Sequence, residues 1–428
     1  MDLIVPCIVG IMLGVFSGVL PGIGTFVSLL LIFPYLIELQ PIQILICYVA
    51  ITSISQYVSS IPAIVIGIPG ESSSMPAVLE SKNLKTVQDI QQSIVGSAVG
   101  STFGGLIVVI MCWLFLEYIM TMLLSFDTTI MFFIYVLLIF LLIIVYKSNS
   151  ITENIAMILL GLLLGLVGYT KSLYTEILTF GNKDLFGGFP LVVVAVALLG
   201  LPEIFKNFQS KIKFKTFEST RIKIKFNPIK NFIASVIGFV GGLAPGMTTI
   251  LSSQLAYMYS TLMKYSPVDK ITASETANNA GSFSQLLPLM MLGIPLLSSE
   301  ALVINLMESK GYNLISTNFE SLFYTVGVSL IFINIIGLLI AWPGARYVIQ
   351  ILKINTKKLY LTLVLLLFVI VLYVGYQKYQ LFFYIWSFLL LGTIGWMMRN
   401  YNTMPLVFAF IIHDKIFDVT LRFISLHF

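Results

Sequence analysis

Histidine and cysteine, the side chains that most often form transition-metal and redox sites, are scarce in this sequence. Its 428 residues include two histidines, His413 and His427, and three cysteines. Cys7, Cys47 and Cys112 stand far apart in apolar surroundings, without the close spacing of zinc or redox motifs. The scarcity argues against a metal-dependent enzyme and leaves the cysteines a structural role.

Charge is scarce as well. Charged residues make up 10% of the chain and hydrophobic residues 58%, whereas soluble domains carry roughly 25% charged residues. Apolar runs of about 20 residues recur along the chain, as in membrane-spanning helices, and a β-barrel would show shorter alternating segments. The sequence therefore predicts an all-α integral membrane protein embedded in the lipid bilayer, with roughly 10 to 12 transmembrane helices. We expect no soluble domain and no nucleic-acid partner.

The amino-terminal segment MDLIVPCIVG has no basic region and no small-residue cleavage site. Both features are typical of signal peptides. We therefore expect this segment to form the first span. A Pro21-Gly22 break then divides residues 3–37, which would be too long for a single crossing.

One stretch places polar groups inside this apolar chain. Residues 272–299 read TASETANNAGSFSQLLPLMMLGIPLLSS. In a helix, its polar side chains would share one face: Glu275, Asn278, Asn279 and Ser282. Pro288 and Pro295 follow, and because proline removes a backbone donor, we expect the helix to break there and free backbone groups. Polar groups within a membrane usually mark a functional site.

A similar stretch occurs in the first half. Residues 52–74 read TSISQYVSSIPAIVIGIPGESSS, in which Gly67-Ile68-Pro69 matches Gly293-Ile294-Pro295 at an offset of 226. Upstream, the Pro-Gly element within residues 18–24 corresponds to residues 242–248 at an offset of 224. Both motifs recur in the second half, in the same order and at nearly the same offset. This indicates an internal duplication, with broken or re-entrant helices. The predicted division is 1–205 for the first repeat, 206–230 for a linker and 231–428 for the second repeat.

The linker is the one strongly basic segment. Residues 206–230 contain eight Lys or Arg residues and a single acid, Glu218. The positive-inside rule places this segment in the cytoplasm. Its period-two alternation is compatible with a small β-hairpin, but a plain solvated linker between the repeats is the preferred interpretation. The second repeat follows directly, whereas no basic residue stands near Met1. This asymmetry predicts inverted repeats in an inner membrane with the amino terminus outside.

The duplicated Pro-Gly and G-I-P elements, together with Glu275-Thr276-Ala277-Asn278-Asn279, resemble the large membrane subunit of tripartite tricarboxylate transporters, the TctA family. The likeness extends weakly to Met404-Pro405-Leu406-Val407 and so covers most of the chain. It implies an ion-driven secondary carrier of small carboxylates that works with a small membrane subunit and a periplasmic substrate-binding protein. Three residues depart from the family pattern and bear on the substrate more than on the fold: Ser72, Thr248 and Leu296.

A carboxylate substrate needs a positive environment, yet residues 52–74 and 272–299 contain no Lys or Arg. Helix amino termini, each with roughly half a positive charge, must then supply it together with nearby hydroxyls. The predicted substrate-binding residues lie at four chain breaks: Gly22, Gly24, Thr25, Gly70, Ser72, Ser73, Gly246, Thr248, Thr249, Ser298 and Ser299.

The remaining polar groups suit a coupling cation. Sodium prefers oxygen ligands, and the two glutamates would take up protons if H⁺ is the coupling ion. The predicted cation-binding residues, with Na⁺ as the expected metal, are Ser55, Gln56, Gly67, Glu71, Glu275, Asn278, Asn279 and Gly293. For the asparagines the alternative is helix-to-helix hydrogen bonding, worth about 0.6 kcal/mol per contact in membranes. We expect no cofactor other than Na⁺ or H⁺.

The function predicted first is a secondary active transporter, a symporter of di- or tricarboxylates working by alternating access. A permease or channel for a different solute on the same fold is the alternative. A membrane enzyme acting on lipid-linked substrates is disfavoured, because the sequence has no Asp-rich metal motif and no histidine pair. Homo-oligomerisation stays open. Gly96, Gly100, Gly104 and Gly105 predict close helix packing.

Overall fold

The structure is a computed structural model that describes residues 2–20, 24–67, 69–125, 127–145, 150–170, 175–207, 226–243, 248–312, 319–351 and 356–427. Within these residues the chain is almost entirely helical. The first half contains α1 (Ile4–Val19), α2 (Gly24–Leu31), α3 (Phe33–Glu38), α4 (Pro41–Val65), a 3₁₀ turn (Ser72–Ser74), α5 (Met75–Ser81), α6 (Val87–Leu114), α7 (Leu116–Leu124), α8 (Thr128–Val145) and α9 (Ile151–Gly165).

A small hairpin and three short helices follow. They are β1 (Gly168–Thr170), β2 (Thr175–Ile177), a 3₁₀ turn (Lys183–Gly187), α10 (Leu191–Ala195) and, after a π-helical turn (Val196–Gly200), α11 (Leu201–Asn207). The strands pair antiparallel, with Gly168 opposite Ile177. A β-hairpin within residues 206–230 would fall mainly on residues 208–225, which lie outside the described part of the chain.

The second half contains ten helices among the described residues: α12 (Pro228–Gly242), α13 (Thr248–Leu262), α14 (Pro267–Ser284), α15 (Leu286–Leu292), α16 (Ser298–Ser309), α17 (Phe319–Ala341), α18 (Ala345–Ile351), α19 (Thr356–Gln377), α20 (Leu381–Met397) and α21 (Met404–His427).

The first elements of the two halves begin at matching positions. Helices α1 and α2 begin 224 residues before α12 and α13, and α4 and the turn at Ser72 begin 226 residues before α14 and α16. Pro41 and Pro267 occupy the first turns of α4 and α14, where the missing donor of proline costs nothing. The offsets are those of the sequence motifs, so corresponding residues start corresponding helices.

The glycines of the first helices make matching contacts. Gly14 of α1 packs against the carbonyl of Ile51 in α4, and Gly238 of α12 packs against the carbonyl of Ala277 in α14. A side chain at either glycine would overlap the facing backbone. Small residues let helix backbones approach closely in a membrane. The same close contact therefore joins α1 to α4 in the first half and α12 to α14 in the second.

The two prolines inside the polar stretches behave differently. Pro62 lies inside α4, which continues to Val65, whereas Pro288 lies in the first turn of α15, just after the predicted break, which falls at Gln285 between α14 and α15. The chain turns at Gly67 and Gly293, whose φ angles of +72° and +60° are left-handed. Neighbouring groups can satisfy a carbonyl freed by proline within a membrane helix, so proline alone is a weak stop signal there. Glycine adopts positive φ without steric cost, so glycine is the more effective signal for the end of a helix.

Four helices in the described part of the chain are long and apolar enough to cross a membrane: Pro41–Val65, Val87–Leu114, Glu320–Ala341 and Tyr360–Gln377. Shorter apolar helices accompany them, among them Ile4–Val19, Pro228–Gly242 and Leu381–Met397. Apolar helices of this length are characteristic of membrane spans. The chain is an all-α membrane protein, as its composition predicts.

Candidate functional site

Helix starts from both halves meet at one cavity of about 150 Å³. We call it the junction cavity. The starts of α2, of the 3₁₀ turn before α5, of α13 and of α16 line it, and Met404, the first residue of α21, lies in its wall. Its lining residues are Gly24, Thr25, Phe26, Gly70, Glu71, Ser72, Ser73, Thr249, Ile250, Leu297, Ser298, Ser299 and Met404.

The junction cavity presents hydroxyl groups and helix amino termini, and its lining residues include no Lys or Arg. Ser73 is 2% exposed and its hydroxyl has no hydrogen-bond partner among the described residues. The fully buried hydroxyl of Thr248, at the start of α13, is likewise unpaired there. Buried polar atoms are normally satisfied, so unpaired ones beside a cavity suggest a missing ligand or water. Donors and helix starts together suit an anion.

Glu71 is the one charged side chain among the residues that line the junction cavity. Its Oε1 accepts hydrogen bonds from the hydroxyls of Thr25 at 2.9 Å and Ser55 at 2.5 Å. Thr25 belongs to α2 and Ser55 to α4, so this carboxylate ties three segments of the first half together. It also places negative charge beside the helix starts.

A second polar cluster surrounds Glu275 on α14, which is fully buried. Its Oε2 accepts long hydrogen bonds from Asn278 Nδ2 at 3.4 Å and Ser74 Oγ at 3.5 Å. Its Oε1 and the Oδ1 of Asn278 have no donor among the described residues, and neither has the Oε1 of buried Gln56 on α4, whose backbone carbonyl accepts from Ser59. All three atoms are acceptors unless the carboxyl is protonated. Unsatisfied buried acceptors suit a cation or a proton.

Ser74 connects the two polar regions. It belongs to the same 3₁₀ turn as the cavity residues Ser72 and Ser73, and its hydroxyl also bonds that of Ser59 on α4 at 2.7 Å. The Glu275 cluster therefore lies one short turn of chain from the junction cavity.

Most of the predicted substrate-binding residues come together. The junction cavity is lined by Gly24, Thr25, Gly70, Ser72, Ser73, Thr249, Ser298 and Ser299. Thr248 is buried at the start of α13, next to Thr249. Gly22 and Gly246 lie outside the described residues. The missing Cβ of Gly70 faces the carbonyl of Gly18 rather than open space, so a larger residue there would disturb packing.

The predicted cation-binding residues separate into two groups. Ser55 and Glu71 meet at the junction cavity, and Gln56, Glu275 and Asn278 carry the unsatisfied acceptors. Gly67, Asn279 and Gly293 belong to neither group.

The structure places Gly67 and Gly293 at the far ends of the short helices that leave the cavity. The nearest atom to a Cβ built at Gly67 is the Ser81 hydroxyl, at the end of α5. The Gly293 carbonyl accepts from Lys415 Nζ at 2.9 Å, and Lys415 also pairs with Glu308 near the end of α16. Gly67 stands three residues before Gly70 and Gly293 four residues before Leu297, so the chain keeps the two turns within about 11 and 15 Å of residues that line the cavity.

Asn279 makes a helix-to-helix contact. Its Nδ2 donates to Ser101 Oγ on α6 at 2.7 Å and to the Glu275 carbonyl at 3.3 Å. This is the packing role that the sequence leaves open for the asparagines. Asn278, one position earlier, keeps an unpaired Oδ1 and is the better ligand of the two.

Sequence reasoning missed Glu300 and Tyr48. Fully buried Glu300 accepts at Oε2 from the backbone N–H of Leu296 at 2.7 Å and of Leu297 at 3.2 Å, and at Oε1 from Tyr48 at 3.4 Å. Both oxygens are satisfied, unlike those of Glu275, so this carboxylate holds the start of α16 in place. The glutamate at the third helical position is a capping signal that the sequence contains.

A third cluster lies at the far end of α5. The carboxylate of Glu80 pairs with Lys270 Nζ at 2.9 Å and accepts from Tyr257 Oη at 2.9 Å and Asn83 Nδ2 at 2.8 Å. Burial acts to raise the pKa of Glu80, but these hydrogen bonds and the charge of Lys270 outweigh it, so the pKa lies below its usual range. The cluster joins α5 of the first half to α13 and α14 of the second.

Among the described residues, no group of three His, Cys, Asp or Glu side chains is arranged to hold a metal ion. Any cation site here would depend on amide, hydroxyl and single carboxylate oxygens. Such ligands are hard oxygen donors of the kind that alkali and alkaline-earth ions accept.

Comparison with known proteins gives one family. Residues 4–409 match the family described as "Tripartite tricarboxylate transporter TctA family". The chain is also 30% identical over 317 residues to an uncharacterized 52.8 kDa protein in the TAR-I ttuC' 3' region of Agrobacterium vitis. That alignment covers 70% of this chain and 62% of the relative, which is less than two thirds of the relative's length. No solved structure matches the chain.

Proposed function

This chain belongs to the tripartite tricarboxylate transporter TctA family, and from that membership we propose that it is a secondary active transporter of small organic anions. The cargo is a di- or tricarboxylate that binds in the junction cavity, and an ion gradient drives its uptake. The observation that carries the proposal is the meeting of helix amino termini and free hydroxyls at one cavity whose lining includes no Lys or Arg.

The size of the cavity supports a small cargo. Drug-sized ligands occupy pockets of roughly 300–1,000 Å³, whereas the junction cavity has about 150 Å³. Several helix termini, each with roughly half a positive charge, can together balance a dianion. Ser73 and Thr248 supply hydroxyl donors that no described residue uses.

The proposed cation-binding residues are those with free or shared acceptor oxygens. Gln56, Glu275 and Asn278 are the candidates with unsatisfied buried acceptors, and Ser55 and Glu71 are the candidates at the junction cavity. Gly67 and Gly293 remain in the proposed set as backbone carbonyl ligands, and the Gly293 carbonyl also accepts from Lys415 Nζ. Sodium or a proton is the proposed coupling ion, which makes the protein a symporter.

Alternating access follows from two inverted repeats, which we propose for residues 1–205 and 231–428. Two reciprocal contacts support them. Ser74 of the first half contacts Glu275 of the second half. In the second half, the position that corresponds to Ser74 is Glu300, and Glu300 contacts Tyr48 of the first half. Tyr48 is next to the first-half position that corresponds to Glu275. Exchange of partners between halves is expected for a pseudo-two-fold axis, the arrangement that many secondary carriers use.

The directions of the short helices give further support. Leaving the junction cavity, α5 ends beside Lys270 at the start of α14, through Glu80. Its counterpart α16 ends at Ser309, and the amino group of the next residue, Lys310, contacts the Ile37 carbonyl just before α4. Each short helix therefore points to the beginning of the other half's long helix. We propose an inner-membrane protein whose amino terminus is outside and whose basic residues 206–230 face the cytoplasm.

The family name implies a tripartite system, so we propose a small membrane subunit and a periplasmic substrate-binding protein as partners. A permease or channel for another solute on the same fold is the alternative function, which the departures at Thr248 and Leu296 allow. Enzymatic activity is not part of the proposal.

Thermal unfolding of the purified protein tests the transporter against this alternative. We expect citrate, succinate or another di- or tricarboxylate to raise the melting temperature, and more so in Na⁺ than in K⁺, because a ligand that binds only the native state stabilises it by mass action. Neutral solutes of similar size serve as the control. Stabilisation by a neutral solute, with none by any carboxylate in either cation, would contradict the proposal.

A Ser73→Ala variant tests the junction cavity itself. A hydrogen bond to a charged group contributes roughly 1.5–3 kcal/mol, so we expect carboxylate affinity to fall about tenfold or more. Folding should be unaffected, because the Ser73 hydroxyl has no partner to lose. Ser309→Ala is the matched control, since that hydroxyl bonds within α16 far from the cavity. Equal affinity for Ser73→Ala and Ser309→Ala would count against this cavity as the anion site.

A further inference from the structure

Glu71 is out of place in an anion site. It lines the junction cavity together with hydroxyls and helix starts, and it is the residue directly before the 3₁₀ turn Ser72–Ser74. Its charge therefore partly neutralises the same amide dipoles that a cargo carboxylate would use. Two carboxylates this close disfavour each other's ionised form.

The hydrogen bonds of Glu71 leave one side open. Thr25 and Ser55 both donate to Oε1, and no described residue donates to Oε2. The unpaired hydroxyl of Ser73, which is 2% exposed, lies in the wall of the same cavity. The cavity thus holds an open carboxylate oxygen, which suits a cation, and an unused donor, which suits an anion.

We propose that the cargo anion and one monovalent cation bind as direct neighbours in the junction cavity, with the cation on the open oxygen of Glu71. The inference rests on the proposed function and deepens it, because it makes Glu71 the residue through which the two ligands are coupled. The cation removes the repulsion between Glu71 and the cargo, and the cargo supplies a further ligand oxygen to the cation. Neither binds tightly without the other.

This arrangement predicts the effect of Glu71→Gln. Glutamine keeps an oxygen that accepts from Thr25 and Ser55 but carries no charge, so the cargo no longer needs a cation beside it. Coupling between two ligands typically changes affinity 5- to 150-fold, and it acts equally in both directions. We expect the ratio of cargo affinities with and without the coupling cation to fall from roughly that range to near one.

The experiment measures binding of citrate and succinate to the purified full chain by calorimetry. The arms are NaCl, N-methylglucamine chloride at pH 8 and N-methylglucamine chloride at pH 6. Tighter binding in NaCl identifies an alkali ion as the cation, and tighter binding only at pH 6 identifies a proton. The variants are Glu71→Gln, Glu275→Gln as the other buried carboxylate, and Glu117→Gln as an exposed control.

Three outcomes decide the matter. Cation-dependent binding in wild type and Glu117→Gln, with cation-independent binding in Glu71→Gln, supports the proposal. Cation dependence that survives in Glu71→Gln but is lost in Glu275→Gln overturns it, because coupling would then act from the buried cluster. Failure of wild type to bind either acid in any arm would instead overturn the proposed function, from which the inference starts.

Discussion

Replacing Lys270 with methionine is expected to lower the free energy of unfolding by about 3–5 kcal/mol, because it leaves a buried carboxylate without its counter-charge. The partner, Glu80, has a side chain only 3% exposed, and the two charged atoms are 2.9 Å apart. The hydroxyl of Tyr257 and the amide of Asn83 complete the shell around the carboxylate. Both are neutral, so neither can replace the lost charge.

The chain offers a matched control for this prediction. Lys230 pairs with Asp269 at 2.8 Å, but these side chains are 30% and 32% exposed. Ion pairs open to solvent contribute about 0–1 kcal/mol, so Lys230→Met should have a small effect. Thermal or denaturant unfolding of the purified variants in one detergent measures both. Equal losses for Lys270→Met and Lys230→Met would mean that burial does not govern the Glu80 pair.

A double variant separates loss of the pair from exposure of one orphaned charge. Glu80→Gln combined with Lys270→Met removes both charges, and we expect it to be more stable than Lys270→Met alone. The position matters for transport because the pair joins α5 to α14. At the position that corresponds to Glu80, the second half has Leu306. At the position that corresponds to Lys270, the first half has Ile44, and both residues are buried and apolar. The two halves therefore differ at this position: the end of α5 has a charged contact, and the corresponding part of α16 has an apolar residue.

Local sequence patterns predicted the junction cavity well because its residues follow the chain breaks directly. Thr25, Ser72, Thr249 and Ser298 each stand at or next to the first residue of a helix, and the duplicated Pro-Gly and G-I-P motifs mark those starts. Since a hydroxyl and an amide at a helix start need no distant partner to be recognised, sequence reasoning reaches them. It is the repetition at 224 and 226 residues that made the grouping credible.

The glycine turns show what such reasoning does not reach. Freed carbonyls at Gly67 and Gly293 suggest cation ligands, and the chain does turn at both glycines, after the prolines of α4 and α15. The Gly293 carbonyl then meets Lys415 from α21, a contact across 122 residues. No sequence periodicity or motif indicates that these two residues are in contact. The same holds for Tyr48 and Glu300, which are paired only by the crossing of the two halves.

Helix packing at glycine is the other feature that the sequence predicts correctly. Gly96, Gly100 and Gly104 form a strip along α6, and in the structure this strip lies against Thr272 and Thr276 of α14. Helix α14 carries Glu275 and Asn278 on the same turns. The contact between α6 and α14 therefore sets the position of the proposed cation site as well as the packing of the two helices.

Gly104→Leu is accordingly expected to prevent assembly of the folded protein. A Cβ at Gly104 would overlap the Thr276 carbonyl, which is backbone and cannot rotate away. Overpacking by small additions costs about 1–3 kcal/mol, so Gly104→Ala should fold with reduced stability, and the larger leucine should exceed what one membrane domain tolerates. The yield of monodisperse protein in size-exclusion chromatography measures the difference.

Gly187→Leu is the control for this prediction, because nothing lies within 4 Å of a Cβ at that exposed position. It should give the same yield and melting temperature as the wild type, which would show that a new leucine alone does no harm. If Gly104→Leu matched Gly187→Leu in both measurements, α6 could not lie against α14 as described. The Glu275 cluster would then have a different neighbour, and the cation site proposed from its unsatisfied oxygens would have to be abandoned with it.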